Sequence, residues 1–150
     1  MKDKVILYLL MLFFLLCGLT TTLNDVLIPF LQDFLELNYT KVMLLHLAFY
    51  TGYLLFSPIG GKSVDTFGYS CSLYLGLGLT TIGSLFIVPA TYFCSFSFFL
   101  CITFFLGAGI TVLQVCGNPL TLNLGDKNTA CSRLTLVQAF TSLGTSSAPF

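Results

Sequence analysis

The chain has 150 residues, of which 56% are hydrophobic and 8% are charged, with equal numbers of basic and acidic side chains. Soluble globular domains carry about 25% charged residues, so this composition excludes a water-soluble domain. The balanced charge provides no basic surface that would bind a nucleic-acid backbone. We therefore expect no nucleic-acid partner.

The six cysteines lie mostly in apolar runs and lack the paired spacing that a zinc site needs. We interpret them as small packing residues and predict no metal site and no cofactor. The sequence also shows no nucleophile beside a base and no phosphate-binding glycine loop. We do not expect an enzyme.

Apolar segments of membrane-crossing length recur along the chain. A transmembrane helix needs about 20 predominantly apolar residues, and polar connections separate five such segments. We predict an all-α polytopic membrane protein with spans at about 5–30, 42–59, 70–92, 98–122 and 134–150. The connections between them are predicted at 32–41, 62–67, 93–97 and 125–133.

The first segment follows Lys2 and Lys4, as the apolar region of a secretory signal peptide does. However, its apolar run resumes after Asp25 to a length that no signal peptide needs, and the bulky Leu16 precedes Cys17, where a lipoprotein signal would be cleaved. We interpret the segment as a retained transmembrane helix.

The last segment, 134–150, is 17 residues long, is rich in hydroxyl side chains and has no polar tail. A helix of such marginal hydropathy needs neighbouring helices in the membrane. We expect the chain to be cut off within this helix.

Positive charge is retained on the cytoplasmic side of a membrane, so the basic residues predict the orientation. With a cytoplasmic amino terminus, the outer segments hold only Lys41. The inner segments then hold Lys2, Lys4, Lys62, Lys127 and Arg133. The sequence therefore predicts a cytoplasmic amino terminus.

Asp25 is the ionisable carboxylate that lies well within a predicted span. Such a group costs roughly 3 kcal/mol in the membrane unless it is neutral, hydrated or paired, and it can take up and release a proton for coupled transport. The alternative is a position near the outer interface, because Asp25 lies about 30 Å along the helix from Lys4 at about 1.5 Å per residue.

Gln114 and Asn118 in the fourth span are neutral amides at helical spacing. They are suited to hydrogen-bonding a hydroxyl-rich ligand, or to joining one helix to another. Gln138 and Thr141 form a similar polar face in the fifth span.

Three stretches resemble a known family. They read LNDVLIP at 23–29, LQVCGNP at 113–119 and RLTLVQAFTSLG at 133–144. Gly61, Asp65 and Gly68 also look like a loop signature of glycine, acid and glycine between the second and third helices. Together they are similar to the fucose permease and glucose/galactose transporter branch of the major facilitator superfamily, over nearly the whole chain.

The resemblance implies a transporter of twelve helices in two halves of six, with sugar bound between the halves. Residues 1–150 would then be the first five transmembrane helices, an incomplete amino-terminal half that needs the missing carboxy-terminal helices as its partner. The implied activity is symport of a hexose or deoxyhexose with a proton or sodium ion. The implied location is the lipid bilayer of the cytoplasmic membrane.

The resemblance places Asp25 at the position of the family's first-helix carboxylate, which is implicated in proton coupling. It implies substrate binding by Asn24, Gln114, Asn118, Gln138 and Thr141. Gln114 stands where fucose permeases have a glutamate, and Thr22 and Thr141 each stand where an asparagine is usual. These departures leave the identity of the sugar open.

A second hypothesis is a truncated, non-transporting remnant, or one assembly subunit of a split transporter. A chain without the second half has no opposing wall for the sugar cavity. On this hypothesis the polar faces of the helices would be exposed until a partner covers them.

Overall fold

The computed structural model describes residues 2–34, 36–93, 95–125 and 127–147. This part of the chain is almost entirely helical and contains no strand, which confirms the predicted all-α class. The helices are α1 (Lys2–Phe34), α2 (Tyr39–Phe93), α3 (Phe96–Asn123) and α4 (Ala130–Ser147), with a 3-10 turn at Lys127–Thr129.

The chain divides into two compact units. The first combines Met1–Val26 with Gly117–Phe150, and the second is Leu27–Cys116. The first unit therefore contains most of α1, the end of α3 and all of α4. The second contains α2 and most of α3.

Three helices in the described part of the chain are long and apolar enough to cross a membrane, at Val5–Asp33, Tyr39–Ala90 and Phe96–Asn123. The second has 52 residues, which corresponds to about 78 Å of straight helix against a hydrocarbon core of about 30 Å. The less apolar α4 is not among the three. It covers the predicted fifth span up to residue 147, and residues 148–150 lie outside the described residues.

The helical geometry of α2 is interrupted at Gly68, which has φ 78° and ψ 170°. This conformation is open essentially to glycine only, because a Cβ atom would clash with the backbone. The break separates α2 into the parts 39–67 and 69–93, which contain the predicted second and third spans.

Four glycines of α2 show the order in which its two parts contact α3. In chain order the pairs are Gly52 with Phe104, Gly60 with Val112, Gly76 with Leu113 and Gly83 with Leu106. Before Gly68, a later residue of α2 contacts a later residue of α3. After Gly68, a later residue of α2 contacts an earlier residue of α3. The two parts of α2 therefore run antiparallel to each other against the same helix.

The prediction of a loop at 62–67 is wrong. These residues are helical, and the hydroxyl of Thr66 donates to the carbonyl of Lys62 within the helix at 2.8 Å. A single glycine with positive φ interrupts the helix, so no run of irregular residues is needed. Gly61 and Asp65 of the predicted loop signature are consequently helical, and Gly68 is its non-helical member.

Backbone contact between α2 and α3 holds the second unit together. A Cβ atom on Gly52 would lie 2.4 Å from the carbonyl oxygen of Phe104, and one on Gly107 would lie 2.3 Å from that of Phe49. Where lipid surrounds the helices, such close approach replaces the hydrophobic effect as the source of association. The fully buried Leu45 and Phe99 belong to the apolar core beside this contact.

Candidate functional site

The helices α1 and α4 of the first unit contact each other through two glycines. A Cβ atom on Gly18 would lie 2.3 Å from the carbonyl oxygen of Thr141, and one on Gly144 would lie 2.4 Å from that of Leu15. A larger residue at either position has no room unless the helices separate. This pair of contacts, which we call the glycine contact of α1 and α4, fixes the position of the predicted site residue Thr141.

A hydrogen bond continues the glycine contact one turn further along both helices. The hydroxyl of Thr22 donates to the carbonyl oxygen of Thr145 at 3.3 Å and also lies 3.2 Å from the carbonyl oxygen of Gly18. Thr22 and Thr145 each lie four residues after a member of the Gly18–Thr141 contact, so the bond extends this contact by one turn on both helices. The sequence pointed to Thr22 as a departure from the family pattern and did not predict this bond.

The predicted site residues Asn118 and Gln138 are brought together by α3 and α4. The Nε2 atom of Gln138 donates to the Oδ1 atom of Asn118 at 3.4 Å. Asn118 is half-buried and Gln138 is exposed. The two side chains thus form an amide pair on neighbouring helices, with remaining donor and acceptor capacity on an exposed face.

The end of α3 approaches α1 closely beside this amide pair. A Cβ atom on Gly117 would lie 2.6 Å from the ring of Phe14, which is itself buried with Met11 and Val137. The absence of a side chain at Gly117 lets the ring fill this space. The residue before Asn118 therefore anchors the amide pair to the apolar core of the first unit.

Asn24 and Asp25 are neighbours in α1 with different surroundings. Asn24 is 5% exposed, and its Nδ2 atom has no hydrogen-bond partner among the described residues. Asp25 is exposed. Successive residues of a helix point about 100° apart, so the buried amide and the exposed carboxylate serve different faces of α1.

Gln114 and Thr141 complete the set of predicted substrate-binding residues. Gln114 is half-buried and belongs to the second unit. The hydroxyl of Thr141 donates to the carbonyl oxygen of Val137 at 3.4 Å. Its hydroxyl thus bonds to its own helix, while its carbonyl lies at Gly18.

A buried serine follows the break in α2. Ser72 is fully buried, and its hydroxyl donates to the carbonyl oxygen of Gly68 at 3.0 Å. The sequence did not indicate this contact. A serine four residues after a glycine is a weak signal, because hydroxyl groups in helices commonly bond to the preceding turn.

Five cysteines lie in the described part of the chain, and all are free. Cys17 and Cys116 are buried, whereas the other three are exposed. Among the described residues, no group of three or more His, Cys, Asp or Glu side chains is placed to hold a metal ion.

Comparison with known proteins places this arrangement in a family. The model of the Major Facilitator Superfamily matches residues 10–150. The glucose/galactose transporter of Brucella abortus is 42% identical over 140 residues, covering 93% of this chain and 34% of the relative. The L-fucose-proton symporter of Escherichia coli is 31% identical over 131 residues, covering 87% of this chain and 30% of the relative.

Comparison of the fold with solved structures identifies the same family. The crystal structure of the Escherichia coli fucose:proton symporter matches with a TM-score of 0.86 and 28% sequence identity, covering 99% of this chain and 35% of that one. The chain thus spans about a third of the length of the relatives it matches. These relatives are named as transporters, which confirms the expectation that the chain is not an enzyme. The chain belongs to the major facilitator superfamily, in the branch of the glucose/galactose and fucose transporters, and is a multi-pass membrane protein.

Proposed function

We propose that this chain is the amino-terminal portion of a symporter that carries a hexose or deoxyhexose across the cytoplasmic membrane together with a proton or sodium ion. The observation that carries the proposal is the hydrogen bond between Gln138 and Asn118 on an exposed face of two neighbouring helices. Amide groups offer the donors and acceptors that sugar hydroxyls require. The names of the relatives support a sugar as the substrate.

Asp25 is the proposed carrier of the coupling ion. It lies three residues after Thr22 and seven after Gly18, so it continues the face of α1 that packs against α4. Its exposure keeps the carboxylate accessible to a proton or sodium ion. The coupling group would thus stand on the helix face that positions Thr141.

Asn24, Gln114 and Thr141 are proposed as further sugar ligands. The buried Nδ2 atom of Asn24 has no hydrogen-bond partner among the described residues, and such an unpaired donor costs about 1–3 kcal/mol. A sugar hydroxyl, or a water molecule bound with the sugar, would supply the missing acceptor.

The proposed partner of this chain is a set of carboxy-terminal helices that forms the opposite wall of the sugar site. The exposed amide pair favours such a wall, because polar groups in the membrane face protein or a water-filled path. The break at Gly68, with Asp65 one turn before it, would lie on the cytoplasmic side, near Lys62. This placement follows from the excess of basic residues in the inner segments.

Reconstitution into lipid vesicles tests the proposal. The full chain is prepared alone and together with the carboxy-terminal helices of the Brucella abortus relative, and binding and uptake of radiolabelled glucose, galactose and fucose are measured. We expect one of these sugars to accumulate under an imposed proton or sodium gradient when the second half is present. The absence of both binding and uptake in a correctly assembled complex would contradict the proposal.

A matched pair of variants localises the site. Gln138→Leu removes the amide that bonds Asn118, and we expect it to weaken sugar binding at least tenfold. Thr135→Val lies about one turn earlier in α4, where the hydroxyl bonds to the Cys131 carbonyl of the same helix. This control variant should bind sugar as the unmodified chain does.

A further inference from the structure

Arg133 joins the end of α3 to the start of α4. Its Nη1 atom donates to the hydroxyl oxygen of Thr129, and its Nη2 atom lies 3.5 Å from the carbonyl oxygen of Leu122. The guanidinium group lies over Gly125, where a Cβ atom would be 3.5 Å from Nη1. Gly125 has a φ of 71°, which glycine adopts without strain.

The chemistry of the two acceptors explains why an arginine stands here. Leu122 lies in the last turn of α3, where backbone carbonyl groups have no donor within the helix and carry the negative end of the helix dipole. A cation is favourable at this end of a helix. The planar guanidinium group presents several N–H donors in a fixed fork, so one side chain bonds to Leu122 and Thr129 simultaneously, which the single ammonium group of lysine does less well.

This contact lies beside the amide pair on both helices. Leu122 is four residues after Asn118 in α3, so the two residues occupy adjacent turns of one face. Arg133 is four residues before the fully buried Val137, which precedes Gln138. A shift of α4 along or away from α3 would therefore be transmitted within about one turn to the Gln138–Asn118 bond, whose 3.4 Å length is already near the limit for a hydrogen bond.

We propose that Arg133 is a positioning residue: its bond to Leu122 fixes α4 against the end of α3 and thereby holds Gln138 within hydrogen-bonding distance of Asn118, while its local bond to Thr129 orients the guanidinium group. Its effect on sugar binding rests on the proposed function. Its effect on the distance between the two helices does not.

Disulfide formation measures that distance without any sugar. Asn118→Cys and Gln138→Cys are combined in the full chain, and the rate of formation of the 118–138 disulfide under mild oxidation is followed by peptide mapping. Adding Arg133→Met should slow this reaction about fivefold, the factor expected for the loss of the one hydrogen bond, to Leu122, that joins the two helices. Thr22→Cys with Thr145→Cys serves as the control pair between α1 and α4, and its rate should not change.

A second set of variants keeps the test valid if Arg133→Met does not fold. Thr129→Val removes one acceptor and leaves the charge in place, whereas Thr129→Ser retains the hydroxyl. We expect Thr129→Val to slow the 118–138 disulfide and Thr129→Ser to restore the original rate. Equal rates in all of these variants, in folded protein, would overturn the inference.

Sugar affinity provides the functional readout in the assembled transporter. We expect Arg133→Met and Arg133→Lys to raise the Kd for the transported sugar about fivefold, with Thr129→Ser unchanged. If the unmodified protein binds no sugar, the proposed function fails while the disulfide rates still decide the role of Arg133. An unchanged Kd in Arg133→Met contradicts the role of Arg133 even where transport is established.

Discussion

A Cβ atom added to Gly18 would lie 2.3 Å from the carbonyl oxygen of Thr141. This distance is shorter than any contact that a real Cβ atom tolerates, and the neighbouring atom is backbone rather than a movable side chain. Helices α1 and α4 therefore touch through their main chains at this point.

Gly18→Ala should consequently force the two helices apart and lower the free energy of unfolding by about 1–3 kcal/mol, the usual cost of overpacking. Thermal or detergent-induced unfolding of the purified chain measures this loss. Gly78→Ala is the matched control, because no described atom lies within 4 Å of its added Cβ. Equal stability of the two variants would show that the close contact is absent in the membrane.

Gly68→Ala should destabilise the second unit. At φ 78° and ψ 170° a residue with a Cβ atom carries about 1–3 kcal/mol of backbone strain. Gly61→Ala is the control, since Gly61 is helical with no described atom within 4 Å of an added Cβ, and alanine stabilises a helix by about 0.5–1 kcal/mol relative to glycine. The prediction fails if both variants unfold at the same detergent concentration.

Thr22→Val should remove the hydrogen bond to the Thr145 carbonyl and destabilise the first unit by about 0.6 kcal/mol, the average for such bonds between membrane helices. Thr20→Val should have little effect, because the Thr20 hydroxyl bonds to the Leu16 carbonyl of its own helix at 2.8 Å. Thr22→Ser retains the donor and should restore stability. A loss in Thr20→Val as large as that in Thr22→Val would argue against an interhelical role.

Asp25→Asn should abolish accumulation of sugar against a gradient in the assembled transporter. The neutral amide keeps the size of the side chain and cannot carry a proton or attract a cation. Sugar exchange at equal concentrations on both sides should persist, because it needs no coupling ion. Vesicle uptake with and without an imposed gradient separates these activities, and undiminished accumulation would remove Asp25 from the coupling site.

Asn118 and Gln138 should act as one unit in sugar binding. Each of the single variants Asn118→Leu and Gln138→Leu breaks the same hydrogen bond, so the double variant should lose less affinity than the two single losses combined. A coupling energy of about 0.5–3 kcal/mol is usual for residues in one hydrogen-bond network. Isothermal titration with the transported sugar measures it, and strictly additive losses would mean that the two amides bind independently.

The helices were predictable because membrane-crossing segments carry a strong and simple hydropathy signal. The loop at 62–67 was not, because its Lys and Asp side chains suggest water, while the backbone needs only Gly68 to leave the helix. Polarity alone therefore overestimated the length of the connection between the predicted second and third spans.

The identity of the candidate site residues could be predicted from the sequence, but the contacts between them could not. The sequence selected Asn118 and Gln138 separately, since amides at helical spacing imply a ligand or a neighbouring helix. It did not indicate that they bond to each other, because the relative position of α3 and α4 depends on Arg133 and on the contacts that each helix makes with α1 at glycine. Glycines are common throughout this chain, and their spacing does not show which helix each one meets.

The low hydropathy of α4 has a consequence for how the protein is made. A segment that partitions weakly into lipid does not leave the translocation channel readily on its own, whereas α1 is synthesised earlier and is apolar enough to be already in the bilayer. At Gly18 the backbone of α1 is open to close contact with α4, and Thr22 provides a hydroxyl donor for it. We therefore expect insertion of α4 to depend on contact with α1, and a bulky residue at Gly18 to lower the fraction of α4 that enters the membrane.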